Sequence, residues 1–426
     1  MNRRSFLSTL TAAAPLAFAG DLAARAYAAP RRAPRITGLS FATVQGRFHK
    51  FVAMNSYDTR PKGHTYENTL VRIATDQGVE GVGVMEYAAP DQAFLEAVKA
   101  LVGADPLAVY TMTDGRITGR SPAFAALLSR YQHLDGPLFD LIGKLTARPC
   151  WQLLGSSARD TVEVYDGTLY FSDVWFQDRG VRAVVEEAEE AVRMGYPALK
   201  LKTGRGWRWL EKEAGLRRDI EVVREVRRAC GPGIRIMVDP NNGYRNDPED
   251  AWRFLAATQA DDVHVLEEPF PEDVTRYTEL HARIATAGLK TLIADGENMM
   301  SVEPFRPYLG ATRLIDVLQL DIRRGGFLDT TELARLGAPL GAVIVPHNWG
   351  SQIGLFMGLH LAKAVENAIA AEDDRSTCDA VNAQGYEYRD GHYRVSDEPG
   401  LGLAVDAATY ARKYAAGARV IGVPPR

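Results

Sequence analysis

Residues 198–202 (Ala-Leu-Lys-Leu-Lys), 234–239 (Ile-Arg-Ile-Met-Val-Asp), 263–267 (Val-His-Val-Leu-Glu) and 291–295 (Thr-Leu-Ile-Ala-Asp) share one build. Each is a short apolar run that closes on an ionisable residue, and a segment able to form a helix follows. Working outward, the same unit recurs at 162–165, 314–321, 342–346 and 368–372. Consecutive runs mostly start 24–36 residues apart. The segments between them, such as 181–194 and 219–229, carry acidic starts and basic ends, as the helix dipole favours. Eight such units predict a parallel (β/α)8 barrel of the modified TIM type over residues 156–385. An open dinucleotide-binding sheet fits less well, because no glycine fingerprint follows the first strand.

Upstream, residues 35–155 read as an α+β unit. The segments 35–44, 51–56, 69–75 and 79–85 are β-rich, and Asp76-Gln77-Gly78 is a hairpin turn signal. Residues 91–154 then space their apolar side chains as helices do, for example Phe94, Val98 and Leu101. From 386 to 426 the sequence returns to short, turn-rich β-like stretches, which are expected to pack back on the N-terminal unit.

The chain of 426 residues is 46% apolar and 24% charged, which is ordinary globular composition. No apolar run is long enough to span a membrane. A net charge of −4 without long runs of one sign argues against nucleic acid as a partner. Asn2-Arg3-Arg4-Ser5-Phe6-Leu7, a small apolar stretch to Gly20, and Ala26-Tyr27-Ala28 together resemble a twin-arginine export signal with its cleavage site. Its removal (residues 1–28) leaves a charge of −6, and the expected location is the periplasm. Cys150, Cys230 and Cys378 are odd in number, far apart and without a C-x-x-C pair, so buried free thiols are expected.

Active sites of such barrels form at the carboxyl ends of the strands. There stand Lys200 and Lys202, Asp239, Glu267, Glu297, Asp321, His347 and Glu372. Successive gaps from Lys202 are 37, 28, 30, 24, 26 and 25 residues, one unit each, so all should converge on one mouth. A single strand-end acid can cap a helix and a single Lys can be solvated. Eight ionisable groups in register are hard to explain that way. Asp239, Glu267 and Glu297 make a hard oxygen site suited to Mg2+, or Mn2+. Lys200 and Lys202 share a strand face, and their like charge should lower both pKa values, as a base requires. His347 lies across the barrel, where Asp321 can fix its tautomer.

These segments, with Val238-Asp239-Pro-Asn241-Asn-Gly243-Tyr, Leu266-Glu267-Glu268-Pro269, Asp295-Gly-Glu297-Asn, Gln319-Leu-Asp321, Gly325-Gly326 and Pro346-His347, resemble the enolase superfamily, in its mandelate racemase type. The resemblance covers residues 35–426, and Asp135 to Lys144 resembles the last helix of that family's capping domain. It implies Asp239, Glu267 and Glu297 as Mg2+ ligands, with Glu267 chosen over Glu268. It implies Lys202 as a base, Asp321–His347 as the opposing dyad, and Lys200 as a helper to the substrate carboxylate or to Lys202. Glu372 matches the final-strand acid, although Asp373 or Asp374 could take that role. Asn241 either touches substrate or stabilises its turn. Arg60, Lys62 and His64 fall in the capping loop, where a solvated role is the expectation.

The implied chemistry is removal of the α-proton of a carboxylate through an ene-diolate. Dehydration of an acid sugar to a 2-keto-3-deoxy acid is favoured. Racemisation or epimerisation of a 2-hydroxy acid is the alternative, since both use bases on two faces. A periplasmic binding protein without turnover is a rival from another class, opposed by the complete set of bases and ligands. The expected partners are thus a small carboxylate and, in a homo-oligomer, further copies of the chain.

Overall fold

The computed structural model describes residues 32–85 and 90–424, so the export signal expected over 1–28 lies outside the described residues. Eight parallel strands form the barrel: Thr161–Leu169, Ala198–Lys202, Arg235–Asp239, Val263–Glu267, Leu292–Asp295, Val317–Leu318, Val343–Ile344 and Ala370–Asp373. The first seven pair in chain order. Closure comes from Ala370–Asp373, which pairs with the first strand through Ala371 opposite Val164, and from a parallel bridge between Ile344 and Ala368. Each expected run therefore holds a strand, and the barrel class is confirmed.

Strand lengths differ most from the sequence reading in three strands. The first strand runs on to Leu169, with its register against the second shifting between Asp166 and Leu169. The sixth and seventh shrink to two residues each. At the start of the sixth, the Asp316 carboxylate accepts the Ile293 amide at 2.9 Å, and its own amide donates to the Ile293 carbonyl at 2.8 Å. Beyond it, Asp321 caps the helix Ile322–Gly337 by accepting the Arg323 amide at 2.8 Å.

Side chains alternate in a strand, and a barrel stacks the inward ones in layers. One apolar layer takes a residue from each of the eight strands or its immediate extension: Tyr165, Ala198, Met237, Val265, Ala294, Val317, Val345 and Ala370. Two residues further along, the same inward rows present Gly167, Lys200, Asp239, Glu267, Gly296, Gln319, His347 and Glu372. A dry plug thus supports a layer that is almost wholly polar. Outside, the helix Val181–Arg193 buries Ala183, Val184, Ala188 and Ala191. The run expected over 219–229 belongs to the longer helix Lys212–Cys230.

In the N-terminal unit, Ile36–Val52 is one 17-residue strand, antiparallel to Gly63–Thr75, which pairs with Glu80–Met85. Residues 53–56, expected as strand, leave the sheet. The Asn55 side chain accepts the Tyr57 and Asp58 amides at 3.2 and 3.1 Å, and its carbonyl accepts Trp209 Nε1 at 2.8 Å, so the chain turns onto the barrel. The helix Asp135–Thr146 packs on Glu80–Met85, where Gly83 lets Pro137 approach: a Cβ there would lie 2.3 Å from Pro137 Cδ.

The other edge of Ile36–Val52 is covered by later segments, Ser376–Cys378 and Arg419–Gly422. By contrast, the hairpin Glu387–Arg389 and His392–Arg394 extends the barrel sheet beside Thr161–Leu169. The three cysteines are free, and Cys150 and Cys378 are buried. No helix among the described residues is long and apolar enough to cross a membrane.

Candidate active site

Register brings the ionisable groups together. Lys202 is paired with Asp239 across adjacent strands, and Glu267 with Ala294 across the next pair. Carboxylate oxygens of Asp239, Glu267 and Glu297 lie within 4.8 Å of one another. Lys202 Nζ donates to Asp239 Oδ2 and stands 5.2 Å from the centre of the Tyr170 ring. His347 Nδ1 is 2.7 Å from Asp321 Oδ2, and its Nε2 is 3.3 Å from Glu297 Oε2. Lys202, His347, Glu297, Glu372 and Asn241 line one cavity of about 80 Å³. A larger cleft of about 430 Å³ lies between Thr37, Glu80 and Val423, but it holds none of these groups.

Lys200 is placed differently from the expectation. It is fully buried, sits 2.7 Å from Glu372 Oε1 and 3.0 Å from Glu267 Oε1, and does not line the cavity. Direct contact with a substrate carboxylate is therefore not its geometry. Among the protein's own charges, the acids work against the expected lowering of both lysines. Burial opposes the charge on Lys200, but Glu267 and Glu372 outweigh it and hold the ammonium well above its ordinary value. Burial likewise opposes the charge on Lys202, and Asp239 overrides both burial and the repulsion from Lys200. The neighbouring acids, invisible in a Lys-x-Lys reading, decide the sign. His347 follows the same logic: burial would lower it, yet Glu297 and Asp321 push it up to about 9.

The remaining assignments sort by side-chain direction. Glu372 faces the cavity, and its Oε2 accepts the Asn348 amide at 3.0 Å. Asp373 instead binds the Tyr196 hydroxyl at 2.7 Å, and Asp374 accepts the Ser351 and Ser376 amides at 3.1 Å. Glu268 turns aside at φ 42° and is held by Asn298 and Asn241. Asn241 stands between the cavity and the capping loop. It lines the cavity, and it also stitches the capping loop to the barrel, accepting Asn55 Nδ2 and Ser56 Oγ at 3.0 Å each. Lys62 pairs with Asp58 at 2.9 Å, while Arg60 and His64 are exposed, and none of the three lines the cavity.

Sequence reasoning passed over Tyr57, Tyr170, Asn298, Arg324 and Trp349, which complete the wall. Asn298 directly follows Glu297 and was the easiest to find. Tyr57 comes from the capping loop, whose approach no spacing rule reveals. Gln319 was quoted only as part of a motif; its Nε2 donates to Glu267 Oε2 at 2.9 Å and fixes that carboxylate.

The three carboxylates fit a divalent hard cation. They are clustered, they supply only oxygen, and Glu297 Oε2 is buried without a hydrogen bond among the described residues.

Comparison with known proteins agrees. Residues 183–409 match the family described as enolase C-terminal domain-like, which is more than half of the chain. D-xylonate dehydratase of Haloferax volcanii is 28% identical over 360 residues, covering 80% of this chain and 84% of that protein. D-galactarolactone cycloisomerase of Agrobacterium fabrum is also 28% identical, over 80% of this chain and 89% of that protein. A mutant of galacturonate dehydratase from a Geobacillus species, solved with Mg, is 27% identical with a TM-score of 0.78, covering 92% of this chain and 97% of that one. With its barrel, its ionisable layer and this match, the chain belongs to the enolase superfamily, in the family described as enolase C-terminal domain-like.

Proposed function

We propose that the chain is a Mg2+-dependent acid-sugar dehydratase that converts a sugar acid to a 2-keto-3-deoxy acid. The observation that carries this is that Lys202 and His347, two proton-transfer groups from opposite sides of the barrel, line one cavity with Glu297, whose carboxylate clusters with those of Asp239 and Glu267. Relatives named as xylonate, arabinonate and galactonate dehydratases support the substrate class. When bound, Mg2+ supplies positive charge to the substrate carboxylate as its α-carbon turns acidic.

The chain's own residues do the rest. One of Lys202 and His347 takes the α-proton; the other gives a proton to the departing 3-hydroxyl, which leaves as water. Asp321, hydrogen-bonded to Nδ1, leaves His347 Nε2 to face the substrate. Tyr170 and Trp349 wall the cavity, and the Asn55–Asn241 contact closes the capping loop over it. The enol product then becomes the 2-keto acid.

A second reading, racemisation or epimerisation, is favoured by that same opposed pair, since exchange on both faces needs no leaving group. A screen of acid sugars with Mg2+, followed for 2-keto-3-deoxy acids and for α-deuteration in heavy water, separates the two. Keto acid supports dehydration; deuteration with inversion and no keto acid replaces it by epimerisation. Absence of both across the panel rejects the proposal.

Two further parts complete the reading. Export by the twin-arginine route to the periplasm is supported by Arg3-Arg4 and by Ala26-Tyr27-Ala28. Self-association into a homo-oligomer is part of the same reading, and light scattering tests it.

A further inference from the structure

Among the described residues, Arg205 and Arg323 are the largest side chains wholly removed from solvent, each with 0% exposure. A buried guanidinium is costly unless its donors are matched, and breaking such a pair leaves an uncompensated charge. Each stands immediately beyond one of the two opposed proton-transfer groups or its partner. Arg205 lies three residues after Lys202, and Arg323 two residues after Asp321.

Arg205 is clamped between two acids. Its Nε and Nη2 reach Asp173 at 3.0 and 2.7 Å, and its Nη1 reaches Asp219 at 2.8 Å. That same Nη1 donates to the Lys202 carbonyl at 3.0 Å. Asp219 also accepts the Gly204 amide at 2.9 Å, so the backbone on both sides of Thr203 is tied to one ionic unit. Arg205 does not touch the Lys202 ammonium. Its hold on Lys202 is through main chain alone.

Arg323 works through a side chain. Its Nε donates to Asp321 Oδ1 at 3.1 Å, and its Nη2 to Asp321 Oδ2, the oxygen that also receives His347 Nδ1. Its Nη1 donates to the carbonyl of Trp349, two residues beyond His347. One guanidinium therefore fixes the carboxylate behind the imidazole and the main chain beyond it. A bidentate fork sets the angle of a carboxylate, which a point charge cannot do.

We propose that Arg205 and Arg323 are positioning residues, each dedicated to one face of the site: Arg205 aims Lys202 and Arg323 aims the Asp321–His347 dyad. The partners named above belong to one clamp each, so each face can be perturbed separately. This rests on the two-base reading above, and the experiment distinguishes the failure of one from the failure of the other.

The Mg2+-loaded full chain is given acid sugars of either configuration at C2, and α-proton exchange is followed in heavy water. Exchange moves the α-proton to the base and returns a deuteron, with no redox change. Arg323→Gln should slow exchange on the His347 face about tenfold or more relative to the Lys202 face, through kcat rather than KM, and Arg323→Lys should recover only part. Arg205→Lys should show the opposite bias. In parallel, 15N spectra of His347 in the substrate-free protein, recorded above pH 9 where its ring is neutral, should show protonated Nδ1 in the wild type and a mixed tautomer in Arg323→Gln, with Arg205→Lys unchanged. Parallel loss on both faces with an unaltered His347 signal would overturn the clamp. If the wild type exchanges no acid sugar, the functional proposal fails and the His347 spectrum alone decides the clamp: a tautomer change confined to Arg323→Gln upholds it, and none rejects it. A variant too unstable to purify is replaced by Asp173→Asn or Asp219→Asn, which loosen the Arg205 clamp without removing the guanidinium; a bias toward the His347 face is again required.

Discussion

Lys202 and His347 reach the cavity from strands five units apart, and each has an acid fixed beside it. For a substrate deprotonated by Lys202, Lys202→Ala should abolish both α-exchange and product. His347→Asn should keep exchange while losing dehydration, because abstraction survives and the hydroxyl lacks its acid. Each loss should be about 10²–10⁴-fold in kcat; a variant near wild-type rate would remove that residue from the mechanism. Asp239→Asn and Glu297→Gln should each weaken Mg2+ binding at least about tenfold by calorimetry with unchanged circular dichroism, since even groups behind metal ligands matter by that much. The strand-end positions of all these groups were readable from spacing alone. What was not readable is their charge state. The lysines were expected to depress one another, and instead Glu267, Glu372 and Asp239 raise both, because pairing across strands is a matter of register and not of local sequence. Arg205 and Arg323 escaped for a related reason, since nothing local marks an arginine as buried.

At the level of elements, the helix Gln352–Ala364 is buried along nearly its whole length, and His360 lies within it. Its Nδ1 accepts the Trp151 amide at 3.2 Å, and its Nε2 meets the Tyr386 hydroxyl at 2.8 Å, which itself donates to the Leu401 carbonyl. Both ring nitrogens are thus used by the neutral imidazole. Burial, helped by Lys363, pushes its pKa down to about 3. An unfolded chain takes up that proton near pH 6.5 and the folded one does not, so stability falls as pH drops from 6.5 toward 3. Between pH 6.5 and 5 this one group should cost about 2 kcal/mol. Urea midpoints should show that fall, and His360→Gln should flatten it; equal slopes would contradict the burial argument. Gly83→Ala should destabilise by about 1–3 kcal/mol, because its Cβ would strike Pro137, and thermal melting measures it. The eight runs were legible as strands because each is bounded by helix signals. The brevity of the sixth was not, since no breaker residue marks it.

For the whole molecule, replacing Arg3 and Arg4 by Lys should hold the precursor in the cytoplasm; an unchanged periplasmic yield would refute the signal reading. The barrel class followed from repetition, which survives any local error. The route of the chain back to the N-terminal unit was expected and Arg419–Gly422 takes it, but the hairpin beside the barrel was not, because three-residue strands carry too little pattern to name their partners. That route matters for how the protein is made. Gly38 to Phe41 meet their second neighbours only at Arg419 to Gly422, roughly 380 positions later. At about 5–20 residues per second, a ribosome leaves that margin bare for roughly 20–80 s. A bare sheet margin is adhesive to other chains. Nascent copies should therefore depend on chaperones until residues 419–422 emerge, and chains truncated before Arg419 should accumulate in the pellet. Crowding of one message by several ribosomes then becomes the hazard this architecture creates for itself.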